Sequence, residues 1–144
     1  MLTPATTWFA QRGWDVSPFQ RIAWEAFLAG KDGLIHSPTG SGKTLAAIVG
    51  PLLERLAESE SSEDTDPIRV IWITPLRALA SDTAAALREA VEALGVPFSV
   101  ALRTGDTTSA EKTKQRKKLP SILVTTPESL TLLLTHHEVL EQFK

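Results

Sequence analysis

Ser37-Pro38-Thr39-Gly40-Ser41-Gly42-Lys43-Thr44 lies between a short apolar run, Gly33 to Ser37 (GLIHS), and an apolar helical pattern from Leu45 to Leu56. A strand, a glycine-rich turn and a helix in that order make a phosphate-binding loop. Successive backbone N–H groups in the turn converge on phosphate oxygens, and the start of the helix adds the positive end of its dipole. Gly40 and Gly42 supply turn angles and a close approach that a side chain would block. Lys43 would reach the β- and γ-phosphates, and the Thr44 hydroxyl would enter the magnesium shell. The strict pattern opens on glycine; here Ser37 holds that place, a small residue for a small one. A merely glycine-rich surface turn is the bland alternative, and the strand before and helix after argue against it.

Outward from this loop the periodicity repeats. Ile68 to Thr74, Phe98 to Leu102 and Ser121 to Thr125 read as three more strands, with helical patterns between them. The runs at 68–74 and 121–125 are nearly continuous in Ile, Val, Leu and Trp, as in parallel strands covered on both faces. Leu76, Leu79, Leu87, Val91 and Leu94 keep an approximate 3.6 period that Gly95 and Pro97 end. Leu130, Leu133, Leu134 and Leu140 continue the same spacing in the last segment. Ahead of the loop, Trp8 to Arg12 and Pro18 to Ala29 read as helices, the second opened by Ser17 as cap and Pro18 at the first helical position. Alternating strands and helices predict an α/β fold with a parallel sheet flanked by helices. The sequence divides into an N-terminal helical segment, 1–30, and an incomplete nucleotide-binding lobe, 31–144.

Composition narrows the class. A chain of 144 residues without cysteine can bury a core but holds no disulfide, thiolate metal site or cysteine nucleophile. No apolar run approaches the roughly 20 residues of a membrane span and no signal-peptide pattern opens the chain, which predicts a cytoplasmic protein without a membrane partner. Net charge is −2, but the charges are segregated. Six acids stand against Arg55 between Glu54 and Asp66, whereas Lys112 to Lys118 (KTKQRKK) holds five bases and no acid. The acidic stretch Glu58 to Pro67 reads as a surface loop. The basic run is either a solvated helix face or a nucleic-acid patch. His136 and His137, adjacent on a helix, would face different ways and not one metal.

The loop alone does not separate kinases, GTPases, transporters and helicases; the other motifs do. With PTGSGKT in view the chain resembles superfamily 2 DEAD/DExH-box helicases. Pro18-Phe19-Gln20 looks like the Q motif, whose glutamine amide pairs with adenine. Thr74-Pro75-Leu76-Arg77-Ala78-Leu79-Ala80 is similar to motif Ia, and Thr125-Thr126-Pro127-Glu128-Ser129-Leu130 to motif Ib. Arg103-Thr104-Gly105-Asp106-Thr107 looks like the Thr-Gly element between them. The wording of these motifs is most similar to Lhr-type helicases, and within them to the bacterial ligase-associated DExH-box branch.

That resemblance implies a RecA-like lobe, ATP and Mg²⁺ as cofactors, and a track for single-stranded or partly duplex DNA. The implied contacts run through Thr74, Pro75, Arg77, Thr104, Gly105, Thr126, Pro127 and Glu128. Gln20 and Ser37 to Thr44 would bind nucleotide, with Lys43 and Thr44 in catalysis and Thr44 on the metal. It further implies 3′-to-5′ tracking, DNA repair, and repair partners such as a ligase or nuclease. An RNA helicase of the same superfamily and a nucleotide-binding adaptor that never hydrolyses ATP are the rival readings. Bland readings also stand: Gln20 as an exposed helix residue, Arg77 as a solvated charge, and the four tryptophans as core, with Trp14 near enough to Gln20 to face a base. Hydrolysis in this superfamily needs a strand ending in Asp-Glu, one to hold magnesium and one to orient water. None of the four strand candidates has it, so the sequence reads as a fragment that binds nucleotide without turning it over.

Overall fold

The computed structural model describes residues 1–58 and 67–144, so most of the expected acidic surface loop lies outside the described residues. Helices α1 (Thr3–Gln11), α2 (Pro18–Leu28) and α3 (Lys43–Ala57) come first; β1 (Val70–Ile73), α4 (Arg77–Leu94), β2 (Val100–Arg103), α5 (Ser109–Lys117), β3 (Ile122–Thr125), α6 (Pro127–Leu133) and α7 (His137–Glu141) follow. The described residues fall into two compact units.

The first unit is helical and holds α1, α2, α3 and residues Glu89–Val96. Ser17 is in the extended conformation with Pro18 at the first position of α2, as its sequence predicts. Trp24, fully buried, spends its one polar atom on the chain: its Nε1 donates to the Leu45 carbonyl at 3.0 Å, fixing α2 against the first turn of α3. Phe9 stacks edge-on against Trp24 with ring centroids 5.5 Å apart, and against Trp14 at the same separation. Burying rings of this kind contributes on the order of 2–3 kcal/mol each. Gly50 permits the closest helix contact, because a Cβ there would stand 2.9 Å from Phe27 Cβ.

The second unit carries a three-stranded, all-parallel sheet in the order β1-β3-β2. Ile73 and Arg103 both register with Thr125, so the three strands end level. Central β3 is buried along its whole length, as its uninterrupted apolar run predicts. The expectation for β1 fails: its residues alternate half-buried and exposed, with Ile71 and Ile73 on the open side. An edge strand with one covered face alternates in this way. Leu119, Leu123, Leu133 and Val139 form the core of this unit, with Ile68 and Leu130 against it.

Two further expectations are corrected. Gly33 to Ser37 is not a strand; among the described residues no neighbour pairs with it, and Leu34 is 93% exposed. An apolar run becomes a strand only where a partner supplies the ladder of hydrogen bonds. The helical pattern at the C-terminal end of the sequence is also interrupted, since α6 stops at Leu133 and His136 turns extended to start α7. That break brings Gln142 to the α5–β3 connection, where its Nε2 donates to the Arg116 carbonyl at 2.7 Å and its Oε1 accepts from the Leu119 N–H at 2.7 Å. A helix running straight through 130–140 would forgo both bonds.

Candidate nucleotide and nucleic-acid sites

In the first unit the phosphate loop takes the shape its glycines predict. Gly40 (φ +79°) and Gly42 (φ +93°) both occupy the left-handed region that other residues rarely adopt. Lys43 begins α3, with no side chain capping the helix and no acid in its first turn. The N-terminal N–H groups and the helix dipole therefore meet no competing carboxylate from this turn. Lys43 is exposed and Thr44 half-buried. Ser37 does more than replace a glycine: its Oγ lies 2.7 Å from Ser41 Oγ, and Ser41 also bonds the Pro38 carbonyl, so the two hydroxyls tie the loop across its mouth. Pro38 and Thr39 stay exposed at its rim.

Gln20 is buried at 3% exposure, not the exposed helix residue of the bland reading. Its Oε1 accepts from the Ser17 N–H at 3.0 Å, and its Nε2 donates to the Gly42 carbonyl at 3.1 Å. That carbonyl also takes the first helical hydrogen bond of α3, from the Ala46 N–H at 3.0 Å. One amide thus joins the cap of α2 to the hinge of the phosphate loop, leaving one N–H and one lone pair for a ligand. Trp14 is occupied too, edge-on to Trp8 and Phe9 with the Arg12 guanidinium 4.7 Å from its ring centroid. The apolar groove of about 400 Å³ in this unit, between Ile22, Phe27, Leu34 and Ala46, has no lining residue from 37–44 and is a different feature from the phosphate loop.

The residues present fit a triphosphate: glycine turns with positive φ, hydroxyls at the rim, an exposed lysine and a helix start free of acids. Magnesium finds one candidate ligand here, the Thr44 hydroxyl. Among the described residues no cluster of three or more His, Asp or Glu is placed to hold a metal ion, and His136 and His137 belong to none.

In the second unit the level strand ends bring the three remaining motifs to one edge of the sheet. Thr74 follows β1, Thr104 follows β2 and Thr126 follows β3. All three threonines are buried, and each makes at least one hydrogen bond within the chain. The Thr74 N–H donates to the Thr125 carbonyl at 3.0 Å. Thr104 Oγ1 accepts from the Asp106 N–H at 3.2 Å, while the Thr104 N–H donates to Thr107 Oγ1 at 2.9 Å. Thr126 caps α6, its Oγ1 accepting from the Ser129 N–H at 3.4 Å and donating to the Ser129 hydroxyl at 3.1 Å. What these threonines hold out to solvent is Pro75, Arg77, Gly105, Asp106, Pro127 and Glu128.

Sequence reasoning missed Asp106, although it stands in the quoted RTGDT. The Arg77 guanidinium, at the start of α4, meets it, Nη1 to Oδ1 at 3.0 Å. Arg103, also in RTGDT, is buried and has no such role: its Nη1 donates to the Lys112 carbonyl and to Gln115 Oε1, both at 3.2 Å, tying β2 to α5. Burial, and next the charge of Arg116, lower its guanidinium below the ordinary arginine value. Within the basic run, Gln115 is buried and Arg116 faces His136 and Glu138; Lys114, Lys117 and Lys118 are exposed. Among the described residues no helix is long and apolar enough to cross a membrane.

The DEAD/DEAH box helicase family model matches residues 17–144. ATP-dependent helicase Lhr-Core of Methanocaldococcus jannaschii is 39% identical over 141 residues, which is 91% of this chain and 17% of that protein. The solved structure of Mycobacterium smegmatis helicase Lhr bound to ssDNA and AMP-PNP superposes with a TM-score of 0.78 at 33% identity, covering 94% of this chain and 18% of that one. DUF1998 helicase MrfA bound to DNA and AMPPNP gives a TM-score of 0.79 at 26% identity, over 97% of this chain and 19% of that one. This chain thus spans less than a fifth of each.

Proposed function

Because the chain belongs to the DEAD/DEAH box helicase family, we propose that it supplies the ATP-binding loop and part of the DNA track of an ATP-dependent DNA helicase of the Lhr type. The observation that carries this is the level parallel edge, where the loops after β1, β2 and β3 come together on one side of one sheet. Ligands of open α/β sheets bind outside the carboxyl ends of the strands. A motor must hold phosphates without reading bases, and N–H groups with an exposed arginine do that. The solved relatives hold DNA and an ATP analogue, which supports the same pair of ligands here.

Residues 37–44 form the Walker A loop, with Lys43 on the β- and γ-phosphates and Thr44 as a ligand of Mg²⁺. The metal, when bound, neutralises charge developing on the transferred phosphoryl. Gln20 offers its remaining donor and acceptor to the adenine edge, which favours ATP over GTP. No strand among the described residues ends in an acid that could complete the metal shell or orient water, so these residues bind nucleotide weakly and do not hydrolyse it unaided. Tracking in the 3′-to-5′ direction, a role in DNA repair, a ligase or nuclease partner, the ligase-associated branch and a cytoplasmic location follow the wording of the motifs. The division into 1–30 and 31–144 is kept on the same ground.

The test is ATP turnover by the protein expressed from its complete reading frame, with and without single-stranded DNA or RNA. Stimulation by DNA, abolished by Lys43→Ala with an unchanged melting temperature, is expected. Stimulation by RNA alone turns the reading to an RNA helicase, and unchanged turnover in Lys43→Ala removes the nucleotide site.

A further inference from the structure

Arg77 opens α4 and Asp106 lies in the turn after β2, 29 positions apart in sequence, and they meet in one ion pair at 3.0 Å. Both side chains are largely exposed, 62% and 74%. The partner of Arg77 is therefore not a consequence of burial, which would force any charge to find one. Two further features place it. Gly105 has no side chain under the guanidinium: a Cβ there would stand 2.6 Å from Arg77 Nη2 and 3.1 Å from its Cζ. The buried Thr104 hydroxyl holds the Asp106 N–H at 3.2 Å, and the Thr107 N–H donates to the Thr104 carbonyl at 3.2 Å, so the turn sets where the carboxylate stands.

We propose that Asp106 is the affinity-setting partner of Arg77: it occupies the guanidinium while the edge is empty and yields it to a phosphate oxygen of single-stranded DNA. This rests on the reading of the strand ends as a DNA track. The pair engages Nη1. Carboxylate and phosphate are both oxyanions that accept from the same donors, so the second replaces the first without Arg77 changing its chemistry. A grip that must let go as the protein moves gains from a resident competitor. The competitor keeps the arginine over Gly105 between contacts and weakens each contact by the strength of an exposed pair. It also lowers the salt dependence, since an arginine whose charge Asp106 partly offsets neutralises less phosphate charge and displaces fewer cations from the DNA.

The experiment is a double-mutant cycle, Arg77→Ala, Asp106→Asn and the pair, in the protein from its complete reading frame. Affinity for labelled oligo-dT is measured over a range of salt, with melting temperature as the check on folding. Asp106→Asn keeps the shape of the side chain and removes its charge. Expected are a two- to fivefold gain in affinity, the size of an exposed ion pair, and a salt slope steeper by up to about one unit. Both vanish in the Arg77→Ala background. An equal gain in both backgrounds makes Asp106 a general repulsive charge and overturns the proposal. A loss of affinity in Asp106→Asn makes it a support for Arg77 and overturns it too, as does no change, while the track itself stands. Unchanged affinity in Arg77→Ala removes the track reading first, and the proposal with it.

Discussion

Gln20→Ala tests the link between the cap of α2 and the phosphate loop. The substitution deletes two hydrogen bonds, to the Ser17 N–H at 3.0 Å and the Gly42 carbonyl at 3.1 Å. Each contributes about 0.5–1.5 kcal/mol net, and a part-buried N–H left without an acceptor costs about 1–3 kcal/mol. Gly42 keeps its bond from Ala46, so its carbonyl is not stranded. With the Gly42 bond at its net value and the stranded Ser17 N–H at its full penalty, the loss is roughly 1.5–4.5 kcal/mol, or a fall in melting temperature of roughly 3–18 °C for a chain of this size. Gln20→Glu separates the two ends: its carboxylate still accepts from Ser17 but faces the Gly42 carbonyl with no donor. It should preserve the helix cap and still weaken ATP binding. Denaturant titration and ATP-analogue affinity of both variants make the assay. A loss under about 0.5 kcal/mol for Gln20→Ala, with unchanged nucleotide affinity in both, would refute the reasoning.

Gly42→Ala puts a side chain at φ +93°, where it runs into Gln20 Nε2. Strain of about 1–3 kcal/mol and weaker nucleotide binding are expected, and in a Gln20→Ala background part of the penalty should disappear because the obstructing amide is gone. Thr104→Val removes the acceptor of the Asp106 N–H while keeping the shape. It should cost about 1 kcal/mol, speed hydrogen exchange at the Asp106 amide and weaken single-stranded DNA binding. An Asp106 amide that exchanges no faster would show that the turn does not depend on this bond.

Much of this was legible locally. Ser17-Pro18 starts α2, Gly95 ends the α4 region, and the GSGKT string sets two positive-φ glycines before a helix; each signal acts within a few residues. The parallel sheet could be read from the run Ile122 to Val124, because a strand covered on both faces is apolar throughout, although β1 shows that an equally apolar run can lie at an edge. Pairing partners are another matter. Gly33 to Ser37 has strand composition but, among the described residues, no pairing strand, and composition does not reveal a missing ladder. The leucine period runs on through Leu134 and Leu140, while the chain breaks for two Gln142 bonds to residues more than 20 positions earlier. The site was legible as a set of positions, not as contacts. Motif wording pointed to Thr74, Thr104 and Thr126, but not to their burial beneath the exposed Arg77 and Gly105. Asp106 escaped because an ion pair across 29 residues leaves no trace in spacing.

The claim that a strand-end edge grips phosphates is tested most directly by the salt dependence of binding to oligo-dT and to mixed-sequence single strands. Wild type, Arg77→Ala and a variant with Lys114, Lys117 and Lys118 neutralised are compared in the protein from its complete reading frame. Arg77→Ala is expected to weaken binding to every sequence alike and to lessen the slope by up to about one unit, less by whatever share Asp106 already removes, with the α5 variant losing less. Undiminished DNA affinity in Arg77→Ala, together with loss of binding in the α5 variant, would contradict it.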